Sequence, residues 1–214
     1  MTQIDKSGLI QVLENLSKIM LDNRDLLCKL DAEMGDGDLG LTMSRAFPAA
    51  EKEARESSED DLGKLMMRCG MKMNSAAPST MGTLMSSGFV HAGKLLMGKT
   101  VLDTRDFAAF YMFFADGMAN RGKAQRGERT VLDTLYPAAD AAKQALLDNP
   151  DSSIADIASA ALAGAEAGLE ATKDMLPKYG RAAVFIASAK GKIDQGALVG
   201  KLFAQGIKDA IAGA

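Results

Sequence analysis

The sequence predicts an all-α protein, an antiparallel bundle of about eight helices. Three observations carry that expectation. Apolar residues recur at helical spacing through successive segments of about 15–20 residues. The gaps between the segments are short and carry glycine, proline, serine or aspartate. Strand-like runs are nearly absent.

In chain order, Leu9, Ile10, Leu13, Leu16, Met20, Leu26 and Leu27 form an apolar stripe over 7–29. Asp5 or Ser7 is its candidate cap, and a break is expected near Asp22-Asn23. An acidic loop, 31–38, leads to a helix over 40–56 that Pro48 bends. The polar turn SSEDD at 57–61 caps a helix over 60–77. Pro78-Ser79 separates it from another over 80–98. Asp103 or Thr104 caps a helix over 105–121, in which Phe107, Phe110, Tyr111, Phe113 and Phe114 cluster. The charged, glycine-containing loop GKAQRGE at 122–128 precedes helices over 129–147, 153–173 and 196–212. Alanine is dense through 138–171, which suits close helix contacts. The one strand candidate, AVFIA at 183–187, lacks a partner run and reads as a loop segment. With no repeat or low-complexity linker, residues 1–214 read as a single domain.

Composition narrows the function. The 214 residues are 47% hydrophobic and 25% charged, the balance of a folded globular chain. A net charge of −3 argues against nucleic acid or an anionic membrane as partner. No apolar run reaches membrane-spanning length, and MTQIDKSGLIQ lacks the layout of a secretory signal. Cys28 and Cys69 sit on apolar-periodic segments and read as reduced thiols, so a cytoplasmic location is expected.

Four segments can carry chemistry. In LDAEMGDGDLG, Asp31, Asp36 and Asp38 supply the carboxylate oxygens that hard cations prefer, and Mg²⁺ is held by a few carboxylates together with substrate phosphates. Gly35, Gly37 and Gly40 let the chain turn so that the acids face one point, and the helix that follows offers free N–H groups to a phosphate. The same residues alone fit equally well a solvated turn that caps a helix; the spacing is not that of an EF-hand. PSTMGTL at 78–84 is a helix start with small and hydroxyl residues, and by itself an ordinary capped helix explains it. In RGKAQRGERTVLD, 121–133, the cations Lys123, Arg126 and Arg129 read by default as a solvated charge run. The stretch 176–197 is longer than a plain connection requires, and such loops serve as lids or as surface loops; Arg181 there could face a phosphate. His91, alone on an apolar helix, is given a structural role, and the methionines a packing role.

Taken together, LDAEMGDGDLGLTMSRAF (30–47), SAAPSTMGTL (75–84), RGKAQRGERTVLDTLYPA (121–138) and GRAA…GKIDQGA (180–197) resemble the L subunit of bacterial dihydroxyacetone kinase, the Dak2-type nucleotide-binding family. The resemblance spans nearly the whole chain; its first and third segments are specific, the second and fourth looser. It implies an eight-helix antiparallel barrel with a nucleotide site at one end, and a phosphotransferase function. It implies that Asp31, Asp36 and Asp38 hold two Mg²⁺ ions that bridge the phosphates of ADP or ATP, with Arg181 adding charge. It further implies nucleotide contacts from Leu39, Gly40, Leu41, Thr42, Thr80, Met81, Gly122, Thr130, Val131, Arg181 and Asp194. The implied partners are a K subunit that holds dihydroxyacetone, or a related small ketose, and a phosphotransferase-system M subunit that rephosphorylates retained ADP. The chain departs from the family pattern at Leu39, through Pro78–Thr83, through Ile186–Lys192, and at Gln195, where the family's Asp-Pro-Gly reads Asp194-Gln195-Gly196.

Overall fold

The computed structural model describes residues 3–179, 181–184 and 189–213, and for Arg181 and Ala182 the backbone alone. Strand β1 (Gln3–Ile4) leads into α1 (Lys6–Asp22), α2 (Arg24–Ala32), α3 (Leu39–Glu56), α4 (Leu62–Ala76) and α5 (Thr80–Leu95). Strand β2 (Leu102–Asp103) then precedes α6 (Thr104–Gly122), α7 (Leu132–Asp148) and α8 (Ile154–Ala171). Short 3-10 turns over Thr172–Asp174 and Arg181–Val184 come before α9 (Gln195–Ala212).

The predicted helices are all present. The expected break at Asp22-Asn23 separates α1 from α2, and there Asn23 ties both its backbone N–H and its side-chain amide to the carbonyl of Ile19. Helix α3 runs through Pro48 without interruption. Helix α7 starts at Leu132, three residues later than periodicity suggests, because Gly127 and Arg129 both take positive φ, 82° and 57°. The sequence gives no warning of the two-residue ladder in which Gln3 pairs with Asp103 and Ile4 with Leu102, antiparallel. Of the strand candidate at 183–187, Ala183 and Val184 belong to a 3-10 turn, and the remainder lies outside the described residues.

Eight of the helices close a ring. Each of α3 to α9 packs on the next, α9 packs on α1, and α1 packs on α3, leaving α2 on the outside against α3 and α9. Neighbours run antiparallel. Gly63 at the start of α4 meets Gly93 at the end of α5, and Gly122 at the end of α6 meets Leu84 near the start of α5. Gly164 and Gly168 of α8 meet Pro137 and Asp133 of α7 in reversed order. The interior holds Phe47, Phe89, Phe110, Phe114 and Phe203, all buried. Phe114 stacks on Phe203 at 4.5 Å and meets Phe89 edge-on at 5.1 Å, the two preferred arrangements of aromatic pairs.

Alternation of direction sorts the helix termini. The N-termini of α1, α4, α6 and α8 lie at the end carrying β1 and β2, and each is capped by its own side chain: Asp5, Asp61, Asp103 and Ser153 accept the N–H of Gly8, Lys64, Asp106 and Asp156. The N-termini of α3, α5, α7 and α9 lie together at the other end.

Candidate functional site

At that second end a cleft of about 460 Å³ opens, and residues from the starts of all four helices line it: Leu39, Thr80, Val131 and Gln195. Each helix start carries about half a positive charge from its aligned peptide dipoles, so the cleft floor favours anions.

The acidic loop forms one wall. Asp31 occupies the last turn of α2 and is 8% exposed; its Oδ2 accepts the Leu39 N–H at 3.3 Å, which joins α2 to the start of α3. The chain returns through Gly37 at φ 74°, a conformation that costs a residue with a Cβ. Gly35 passes so close that a Cβ there would lie 2.3 Å from Asp31 Oδ1. The result is that carboxylate oxygens of Asp31, Asp36 and Asp38 all lie within 4.8 Å of one another. An octahedral ion with bonds of about 2.1 Å sets its ligand oxygens roughly 3–4 Å apart, so this all-oxygen donor set fits Mg²⁺ after a small inward movement.

The opposite wall is less polar. Ser79 caps α5 by accepting the Gly82 N–H, and Thr80, Met81 and Leu84 follow along the cleft. Thr130 and Val131 continue the wall in front of α7. Asp133 shapes this approach by accepting the N–H groups of Gly127 at 2.5 Å and Thr130 at 2.7 Å. Tyr179 borders the cleft and donates its hydroxyl to the Lys123 carbonyl.

Of the residues expected from sequence, the structure gathers Asp31, Asp36, Asp38, Leu39, Thr80, Met81, Thr130, Val131 and Asp194 around the cleft. Gly40, Leu41, Thr42 and Gly122 are not among its lining residues. Gly40 packs on the Arg24 carbonyl, Leu41 is exposed, Thr42 is buried, and Gly122 backs Leu84. The Arg181 side chain lies outside the described residues.

Arg129 is a correction. Read as part of a solvated charge run, it is 2% exposed. Its guanidinium donates to the carbonyls of Thr172 (3.2 Å), Ala189 (3.3 Å), Lys192 (3.0 Å) and Ile193 (3.4 Å), and Nη1 faces Asp194 Oδ1 at 3.7 Å. The neighbouring Glu128 accepts from Lys178 Nζ at 3.3 Å and, through its backbone carbonyl, from the Lys178 N–H. Both described ends of the 178–194 stretch are therefore fastened to adjacent residues of one loop. Arg126 behaves as read, pairing with Asp140 at the surface and lying over the Tyr136 ring at 4.3 Å. A buried arginine and an exposed one three residues apart look alike in sequence; only the left-handed turn at Arg129 directs it inward.

Asp194 caps α9 through the Ala197 N–H at 2.8 Å, while its own N–H donates to Thr172 Oγ1 at 3.0 Å. Burial pushes its carboxyl up to about 6, against the opposing pull of that N–H and of Arg129. Gln195, which sequence reasoning left without a role, extends an amide N–H to 3.5 Å from Asp31 Oδ1.

The model of the DAK2 domain matches residues 33–209. The chain belongs to the DAK2 domain family. Among its relatives is the PEP-dependent dihydroxyacetone kinase 1, ADP-binding subunit DhaL, of Listeria innocua, 28% identical over 90% of both chains. The PEP-dependent dihydroxyacetone kinase, ADP-binding subunit DhaL, of Escherichia coli K12 is 26% identical over 91% of both. The fold of this DAK2 domain is also that of the dihydroxyacetone kinase from C. freundii in its crystal structure with AMP-PNP and Mg²⁺. The TM-score is 0.70 at 26% identity, over 94% of this chain and 33% of that longer one. Among the described residues, no helix of this DAK2 domain is long and apolar enough to cross a membrane.

Proposed function

We propose that this chain is the nucleotide-binding, phosphoryl-transferring subunit of a dihydroxyacetone kinase. One observation carries the reading: three carboxylates converge within 4.8 Å at the end of the barrel where four helix N-termini meet. A polyphosphate bridged to a divalent cation matches that pairing of acids with backbone donors. The names of the Listeria and E. coli relatives, and the AMP-PNP and Mg²⁺ held by the C. freundii enzyme, support it.

In this reading Asp31, Asp36 and Asp38 hold two Mg²⁺, which supply charge neutralisation at the transferring phosphoryl group. Leu39, Thr80, Thr130 and Val131 place helix starts against the phosphates of ADP or ATP. Met81 and Leu84 present apolar surface to the base, and Asp194 holds the start of α9 in place. Arg181 adds a cation to the phosphate tail. The relatives are named as one subunit of a kinase, and in this reading the acceptor sits on a separate K subunit docked against this end. ADP stays bound in the cytoplasm and is rephosphorylated by an M subunit of the phosphotransferase system.

Calorimetry tests the first half: MgADP binds the wild type, and absence of binding ends the reading. The second half is tested by adding a K-type subunit loaded with dihydroxyacetone to the ATP-charged chain. Formation of dihydroxyacetone phosphate is expected. Binding without transfer would make the chain a nucleotide-holding regulatory module instead.

A further inference from the structure

The starts of α7 and α9 supply neighbouring parts of the cleft lining, Thr130 and Val131 before one and Gln195 and Gly196 on the other. Glycines let them meet. A Cβ on Gly196 would lie 3.6 Å from the Val131 nitrogen, and one on Gly200 would collide with Thr134 Oγ1 and lie 3.2 Å from the Val131 carbonyl oxygen. Register between helices is set where side chains of one fill grooves of the other. Contact through glycine lacks that interlock, so sliding and tilt must be fixed by directional bonds.

Arg129 supplies them. It stands one residue before Thr130, and its side chain is fully buried. Nε donates to the Thr172 carbonyl, just past α8, at 3.2 Å. Nη2 donates to the Lys192 carbonyl at 3.0 Å, with the carbonyls of Ala189 and Ile193 at 3.3 and 3.4 Å from the same nitrogen. Nη1 faces the carboxylate of Asp194, the cap of α9. One rigid fork at the entry of α7 therefore spans the exit of α8 and the entry of α9. Lys192, whose carbonyl it holds, extends Nζ to 2.7 Å from Glu33 Oε2, just past α2, so the same point is tied to the acidic side of the cleft.

Stability alone does not account for an arginine here. Apolar side chains would join two helix starts without the desolvation that a buried guanidinium and carboxylate entail. The backbone of Arg129 is also left-handed, at φ 57°, which is unfavourable for a residue with a Cβ and persists only where its surroundings over-determine it.

We propose that Arg129 is a positioning residue for the nucleotide: acting through its backbone partners, it holds the start of α9 in register with the start of α7, and so sets how slowly a nucleoside diphosphate leaves the cleft. This rests on the nucleotide reading above. The fork matters more than the charge. A lysine would keep a cation beside Asp194, but as a point donor it cannot span Thr172 and Lys192 together.

The test uses the full chain and ADP carrying a fluorescent methylanthraniloyl group on its ribose. With Mg²⁺ present, the labelled nucleotide is chased by unlabelled MgADP in a stopped-flow instrument, for wild type, Arg129→Met, Arg129→Lys and Arg126→Met. Hydrogen–deuterium exchange of the apo proteins follows the N–H groups of Gly191, Asp194 and Ala197, which donate to Lys173, Thr172 and Asp194. Thermal melts report stability. Arg129→Met is expected to release the nucleotide about 10-fold faster or more and to exchange those three amides faster, with exchange in α1 and α4 unchanged. Arg129→Lys should recover melting temperature more fully than release rate. Arg126→Met, on the solvated part of the same loop, should release at the wild-type rate. Wild-type release from Arg129→Met, however far its melting temperature falls, overturns the proposal and leaves Arg129 a structural residue. So does wild-type release from Arg129→Lys, because charge without the fork would then suffice. Equal acceleration in Arg126→Met also overturns it, as a general effect of loop charge. If Arg129→Met does not fold, Arg129→Lys decides; failure of both to fold assigns the guanidinium to the barrel and overturns the proposal. A wild type that retains no labelled nucleotide defeats the nucleotide reading itself, and this proposal with it, before any variant is compared.

Discussion

Asp36 and Asp38 are exposed side chains on a turn, and their position in the chain alone fits a solvated loop as well as a cation site. What supports the proposed cation site is convergence on Asp31, enforced by the close passage of Gly35 and the positive φ of Gly37. Asp36→Asn removes one charged ligand while leaving the turn intact. It should weaken Mg²⁺-dependent ADP binding by at least about 10-fold with little change in melting temperature; calorimetry and a thermal melt in EDTA check both. Asp194 makes a pH-dependent contribution. Its carboxyl rises from 3.8 to about 6 on folding because burial disfavours the charge. The folded chain thus binds a proton more tightly than the unfolded chain between those values. The associated stability is complete below about pH 4 and is lost as pH rises through about 6, an effect of at most about 3 kcal/mol. Asp194→Asn, which cannot titrate, should gain stability relative to wild type from pH 4 to 7 in urea unfolding. Parallel pH profiles would contradict the placement. Cys69, fully buried and pushed up to about 12 by desolvation, should stay unreactive to thiol reagents at pH 8 until the chain unfolds.

The helices separate stability from function by which end they start at. Capping boxes at Asp103/Asp106 and Ser153/Asp156 close the starts of α6 and α8, both far from the cleft. Ser153→Ala should cost about 1 kcal/mol and leave MgADP affinity unchanged. Ser79→Ala, at the start of α5 on the cleft wall, should lower stability by a similar amount and weaken nucleotide binding too. Chemical denaturation paired with calorimetry reads both. These helix spans were legible in the sequence because apolar spacing and capping residues are local signals. The late start of α7 was not, since the left-handed turn at Arg129 is stabilised by carbonyls 43 to 64 residues away.

At the scale of the molecule, the ring of eight antiparallel helices is what brings four N-termini to one end, and the phenylalanines inside it fix its bore. Phe114 is fully buried and touches Phe89, Phe110 and Phe203. Phe114→Ala should cost about 3–5 kcal/mol, measured by urea unfolding. It should loosen the whole barrel, so that MgADP affinity falls although Phe114 is not among the residues that line the cleft. The two-residue ladder between β1 and β2 ties the chain's start to the entry of α6, a pairing across almost a hundred residues that no local pattern announces.

The amino-acid sequence by itself determined the helical class and the order and approximate limits of the helices, and it marked the acidic loop as either a cation site or a solvated turn. All of these follow from neighbours within a few turns of chain. Only the tertiary structure decided that Asp31, Asp36 and Asp38 meet, that Arg129 is buried beneath the cleft while Arg126 is solvated, and that Gln195 stands beside Asp31. Each of those depends on which helices close the ring, and closure is a property of packing between distant segments, where burial and not local propensity sets the direction of a side chain.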